Sequence, residues 1–350
     1  MNPSPAMKHV RPNSEEQAYA YAKACGIIGK SFVGKRISAL RNLHNLADFD
    51  RLVFPETQQR LPGRELLIDL EHRILQRAAK QMLSVINSFQ NPPELLVRLL
   101  RSCEYADLKN CLHHIASGKP APEMICDIGR FRTVQFNAYP DIAAMIDGTE
   151  FTFILEPDIN ALTDAEYDFT RLETKLDLRY YTLLVQSMSS LAISDRLLAE
   201  QILAEEISLR NCVWALRLRT YFHMTAKETA QYLMDMKMNQ SDLSLEARHM
   251  MDFQLDSRSD WEGWRWEKLL NPEKPGEEWI ASPRFFQNAA SQYIYQLALR
   301  YFHRMPFSIS AIFCFIKLKQ FEEDVLTSTI EGLGIGMAGA EVLEMFEAMA

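Results

Sequence analysis

CEYADLKNCLHHI, residues 103–115, has a partner further along the chain, AEEISLRNCVWAL, residues 204–216. Laid ungapped at an offset of 101, Glu104 meets Glu205, Leu108 meets Leu209, Lys109 meets Arg210, Asn110 meets Asn211 and Cys111 meets Cys212. A weaker third copy, FEEDVLTSTIEG (residues 321–332), follows about 114 residues later. A second echo lies upstream of the first two. IDLEHRILQRAAKQM (68–82) precedes one copy and RLETKLDLRYYTLLV (171–185) precedes the other. Glu71 to Asp107 is 36 residues and Glu173 to Ser208 is 35, so two elements recur at matched separation. The chain therefore reads as three helical units of roughly 100–115 residues. That period is longer than the 20–50 residues of an open solenoid. It suits three small domains around an axis.

Helical spacing runs through the rest. Leu66, Leu67, Leu70, Ile74, Ala78, Met82, Val85 and Ile86 fall at steps of three and four, which places them on one face of a helix. Ser194 to Phe222 behaves likewise, as does Ser291 to Ile316 apart from Pro306. Alternation at period two is scarce. Thr149-Glu150-Phe151-Thr152-Phe153 is the best strand candidate, bounded by Gly148 and Pro157. Proline and glycine at 91–93, 118–120 and 272–283 punctuate the helices. The expected class is all-α, with residues 1–16 a disordered tail and units at 17–120, 121–226 and 227–350, the last carrying a Trp- and Pro-rich loop.

The 350 residues suffice for a sizeable core, with 47% apolar and 24% charged side chains. The longest uncharged apolar run, Met305 to Ile316, has 12 residues, short of the about 20 that a spanning helix needs. The start, MNPSPAMKHVRPNSEE, lacks the apolar stretch of a signal peptide. Six scattered cysteines without CxxC spacing read as reduced core residues. Net charge is −8, divided as +6 over residues 1–119, −7 over 120–226 and −7 over 227–350. An acidic body argues against nucleic acid as a partner. The asymmetry favours a polarised protein whose two ends meet different partners.

Four stretches carry a family resemblance. They are Tyr19-Ala20-Tyr21-Ala22-Lys23 with the basic segment to Leu46; Asp107-Leu108-Lys109-Asn110 with Ser117-Gly118-Lys119; Leu172-Glu173 through Leu176-Asp177 to Tyr180-Tyr181; and Pro306-Phe307-Ser308 followed by Glu322-Glu323. In order and spacing, over roughly residues 17 to 345, the chain resembles the C subunit of V-type and archaeal-type rotary ATPases, called subunit d in vacuolar enzymes. The third copy departs from the pattern at Asp324-Val325, and the Trp-rich Asp260 to Trp266 is an elaboration. The resemblance implies a pseudo-three-fold funnel of three related helical domains, peripheral on the cytoplasmic side of a membrane. It implies a socket that joins the central stalk, subunits D and F, to the proteolipid rotor ring for proton or sodium transport. It implies no chemistry and no cofactor in the subunit itself.

Within that frame Glu104, Asp107, Lys109, Arg210, Glu322 and Glu323 are candidates to line a cavity that grips the stalk; solvated helix-capping positions fit them equally. Lys23, Lys30, Lys35, Arg36 and Arg41 are candidates for the ring or lipid headgroups, against the plainer reading of a solvated face. Trp261 and Trp264 suit packing between the third unit and a neighbour, or an aromatic anchor at a membrane interface.

Two glycine motifs compete with this reading. ACGIIGKS (24–31) ends like a phosphate loop but has Ala24 where the first glycine belongs and no strand before it, so it reads as the middle of a long first helix. A nucleotide-binding enzyme using Lys30 is the alternative function, and a free-standing helical scaffold is another. Gly334-Ile335-Gly336-Met337-Ala338-Gly339 spells GxGxxG too near the end of the sequence for a βαβ unit, and reads as a helix end and turn. The histidines form no ligand pattern, so no metal is expected.

Overall fold

A computed structural model describes residues 13–155, 162, 164, 167–273 and 275–347. The fold is all-α. Its helices are α1 (Ser14–Ile28), α2 (Leu46–Val53), α3 (Gly63–Ile86), α4 (Glu94–Leu100), α5 (Ser102–Ala116), α6 (Ile142–Ile146), α7 (Phe169–Ser187), α8 (Ile193–Tyr221), α9 (Ala226–Thr229), α10 (Leu245–His249), α11 (Pro283–Arg304), α12 (Ile309–Gly334) and α13 (Gly339–Glu347). Among the described residues the extended structure is one small hairpin, β1 (Lys237–Met238) with β2 (Ser241–Asp242). Asn239 and Gln240 both take positive φ in its two-residue turn, the geometry that matches strand twist.

The middle of the molecule is α12. Its first eleven residues, Ile309 to Lys319, are buried on every side. A helix that is apolar all round cannot rest on a surface, so others must surround it. Accordingly α12 packs against α1, α2, α3, α4, α8, α11 and α13. Ser308 caps it, accepting from the Ala311 amide, and Phe307 just before it takes φ 57°. The apolar stripe predicted over residues 66–86 is the buried face of α3. The helices predicted around 194–222 and 291–316 are α8 and, divided at Pro306, α11 and α12.

Apolar side chains gather in two cores. The larger runs from Ala20 to Phe346 and joins α1, α3, α7 and α12. The smaller joins the C-terminal half of α8 to α11 and the loop between α10 and α11. Trp261, Trp264, Trp279, Phe253 and Phe286 meet ring to ring in it, with centroids 5.2–6.5 Å apart. Trp261 is 0% and Trp264 4% exposed. Both tryptophans are thus buried where the loop packs onto α8 and α11, and their rings are not exposed as an interfacial anchor would be.

Two local expectations fail. The first helix ends at Ile28, before the GKS. Gly29 caps it, the Ser31 hydroxyl turns back to the Ile27 carbonyl, and Phe32 and Val33 plunge into the core. Gly34 at φ 56° then redirects the chain into a 3₁₀ segment, Gly34–Asn42. The strand expected at 149–153 is a turn followed by a 3₁₀ segment from Thr152. Glu150 decides this. It accepts from Arg98, Arg101 and Tyr105, which pin the loop to α4 and α5 and bury Phe151. Pro157, the far bound of that stretch, lies outside the described residues, as do residues 1–12 of the expected tail.

The GxGxxG stretch is a helix end and turn. α12 stops at Gly334 and Gly336 has φ 86°. Gly339 then opens α13 so close to the 3₁₀ segment that an added Cβ would lie 2.0 Å from the Leu40 carbonyl oxygen.

Candidate functional site

Three long helices, α5, α8 and α12, each carry one copy of the repeat, and they border the same cavity. It has a volume of about 550 Å³. Cys103, Asp107 and Lys109 come from the first copy, Glu206 and Arg210 from the second, and Lys317, Glu323 and Asp324 from the α12 region of the third. α7 adds Glu173, Asp177 and the Tyr180-Tyr181 pair, and α11 adds Ser291 and Tyr295. Several matched positions share a depth. Leu108 and Leu209, and Cys111 and Cys212, are buried core residues, while Lys109 and Arg210 face the opening. Asn110 and Asn211 part company. Asn110 is exposed, whereas buried Asn211 donates to the Met234 and Leu243 carbonyls and accepts from the Met234 amide, which fixes the hairpin against α8.

Three of the cations of this cavity, Lys109, Lys317 and Arg210, find partners within it. Lys109 Nζ lies 2.8 Å from Asp177. Lys317, nearly fully buried, lies 2.6 Å from Glu206, which also accepts from the Tyr181 hydroxyl at 2.9 Å. Burial works against the Glu206 charge, but Lys317, Arg210 and Tyr181 together hold its carboxyl below the usual range. Arg210 lies over the Tyr181 ring, 5.6 Å from its centroid, within cation–π range.

The carboxyls are treated differently. Burial raises Asp107 to about 6, although the Cys126 amide and Arg132 favour its charge. Burial and the adjacent Asp324 push Glu323 up to about 8, against the pull of Lys319. Asp324 is raised by burial as well, opposed by the Ser291 hydroxyl that it accepts at 2.7 Å and by Arg210. Asp324 is exposed at the cavity wall, where neighbouring helices still lower the surrounding dielectric.

Of the six residues expected at a stalk-gripping cavity, Asp107, Lys109, Arg210 and Glu323 line this one. Glu104 and Glu322 do not. Glu104 is buried and accepts from the Thr133 and Val134 amides, tying α5 to the segment after it. Glu322 is buried between Lys319, Arg77 and the Phe32 amide, tying α12 to the chain that leaves α1. Both were singled out by sequence alignment alone, which cannot show that these side chains sit on the opposite face of their helices. Asp177, Glu206, Lys317 and Asp324 were missed. Lys317, a lysine inside an apolar helix, was a readable signal, because such a charge requires a buried partner.

The basic candidates of the N-terminal region do not form one patch with a common role. Lys23 donates to the Ser84 carbonyl at 2.6 Å, so it ties α1 to α3. Lys30, Lys35 and Arg36 are exposed, with Arg36 over the Phe32 ring, and Arg41 is half-buried. Lys30 follows the C-terminal end of α1. That end carries the negative pole of the helix, the wrong polarity for a phosphate. All six cysteines are free thiols. Among the described residues no group of His, Cys, Asp and Glu could hold a metal ion, and no helix is long and apolar enough to cross a membrane.

The sequence profile of the ATP synthase (C/AC39) subunit family matches residues 64–345, which take in every element that borders the cavity. The chain belongs to this family. It is also similar to an uncharacterized protein of Treponema pallidum (strain Nichols), 27% identical over 329 residues that cover 91% of this chain and 93% of that one. This chain is therefore a V/A-type ATPase subunit, and three of the four sequence stretches that indicated it lie within the match.

Proposed function

We propose that this C/AC39-family chain is a non-catalytic coupling subunit, a socket between the central stalk, subunits D and F, and the proteolipid ring of an ion-translocating rotary ATPase. The observation that carries the reading is the cavity that all three repeat copies border. A load-bearing joint has to transmit torque without yielding. Close-packed helices supply the stiffness, and the fixed charges on the cavity wall supply contacts for one asymmetric shaft. Three related units closing around that cavity in a funnel, with their connecting loops turned toward the ring, complete the reading. Its place is peripheral, on the cytoplasmic face of the membrane.

The purified chain is expected to capture a purified D–F pair at low salt, where charge contacts are least screened, and to hydrolyse no ATP alone. A folded chain that fails to capture D–F at low salt contradicts the proposal. Specific micromolar ATP binding lost in Lys30→Ala would instead favour a nucleotide enzyme.

A further inference from the structure

The cavity is asymmetric in how its charges are satisfied. On the side of α7 and α8, Lys109, Lys317 and Arg210 meet Asp177, Glu206 and the Tyr181 ring. On the side where α5 faces α12, the lining groups are Asp107, Cys103, Glu323 and Asp324. Among the described residues no hydrogen bond or ion pair reaches Glu323, although it is half-buried. An unpaired, partly desolvated carboxyl costs stability that a fold has no structural reason to retain. Glu104 and Glu322, its neighbours in the repeat alignment, show that this chain pairs buried carboxyls when they serve the fold alone.

Resting on the socket reading above, we propose that the α5–α12 wall receives a basic side chain, a lysine or arginine, from the inserted stalk. Asp107, Glu323 and Asp324 are the residues that hold it. Charge complementarity selects this occupant: an acidic or apolar insert would leave Glu323 without a partner beside two further carboxyls. The groups that face Glu323 are Asp324 and Lys319 on its own helix and Cys103 on α5. The Cys103 thiol, hydrogen-bonded to Cys126, lies within the fields of both Glu323 and Asp107. With the cavity empty, Glu323 keeps its proton at neutral pH. An incoming cation favours the ionised form, so binding expels that proton to solvent.

The test is calorimetric titration of the full chain with the D–F pair between pH 6 and 8.5, in buffers of different ionisation enthalpy. The expected result is release of about one proton per complex at pH 7 and an affinity that climbs nearly tenfold per pH unit below about pH 8, then flattens. Glu323→Gln should lose most of that slope, and Glu323→Asp should keep it. The Asp variant separates charge from packing, and circular dichroism of each variant shows whether it folds. Identical slopes in wild type and a folded Glu323→Gln overturn the inference and leave the socket reading intact. No D–F binding by wild type overturns both.

Discussion

Glu104 and Glu205 occupy the same position of the repeat, yet they work in different surroundings. Glu104 accepts two backbone amides in the interior, whereas Glu205 meets Arg265 at 2.7 Å near the surface. Removing a buried acceptor strands its donors, so Glu104→Ala should cost about 2–4 kcal/mol in urea unfolding. Glu205→Ala should cost under about 1 kcal/mol, as exposed ion pairs do. A smaller loss for Glu104→Ala than for Glu205→Ala would contradict these assignments. Glu323 gives a second prediction. Its folded-state pKa, about 8, lies above the ordinary value of 4.5. Between those values the native chain holds a proton that the unfolded chain has released. Stability therefore falls as pH rises from about 4.5 to 8, the reverse of a salt-bridged carboxylate. Glu323→Gln removes this loss, so its Tm should exceed that of wild type at pH 8.5 and differ less at pH 5; equal differences at both pH values would refute it. At this scale the sequence revealed which letters recur. It did not reveal which way each side chain turns, because that depends on the helix each one is packed against.

At the scale of elements, helical periodicity was enough to locate α3, α8, α11 and α12, since a stripe of apolar residues has one stable orientation. What periodicity could not see was termination. The stretch ACGIIGKS, with Gly26 and Gly29, looked compatible with a long first helix, but Phe32 and Val33 are drawn inward and end it. The letters at 149–153 alternate like a strand, but Glu150 turns inward beside buried Phe151 to meet Arg98 and Tyr105, which makes the segment a turn. The last helix depends on two close approaches. Added Cβ atoms at Gly332 and Gly339 would come within 2.3 Å of Val342 Cγ2 and 2.0 Å of the Leu40 carbonyl oxygen. Gly339→Ala meets backbone, which cannot swing aside, so α13 should lift from the 3₁₀ segment. The expected loss is at least about 2 kcal/mol, with faster amide hydrogen exchange over residues 339–347. Unchanged exchange there would show that the contact is not needed for docking.

The all-α class and the family were both legible in the chain as a whole, the first from periodicity and the second from four ordered stretches. The cavity was legible in part. Three copies of one motif suggested an axis, and four of the six residues taken from them face one opening. Of the other lining side chains, Glu206 and Asp324 lie in the repeat copies and Asp177 in the echo upstream, while Lys317 and the α11 residues Ser291 and Tyr295 lie outside any repeat. If the cavity is a socket, its grip is a property of several helices at once, and single exposed charges elsewhere should matter little. Lys30→Ala and Lys35→Ala should change D–F affinity less than about twofold, since solitary surface charges contribute little. The most direct measurement is D–F binding to the folded chain beside a variant whose cavity charge is reversed, Glu323→Arg with Asp324→Arg. The socket account predicts a one-to-one complex with wild type at low salt and at least about a hundredfold loss in the variant, the penalty of desolvated like charges. Equal affinity for both chains would place the stalk elsewhere and contradict the account.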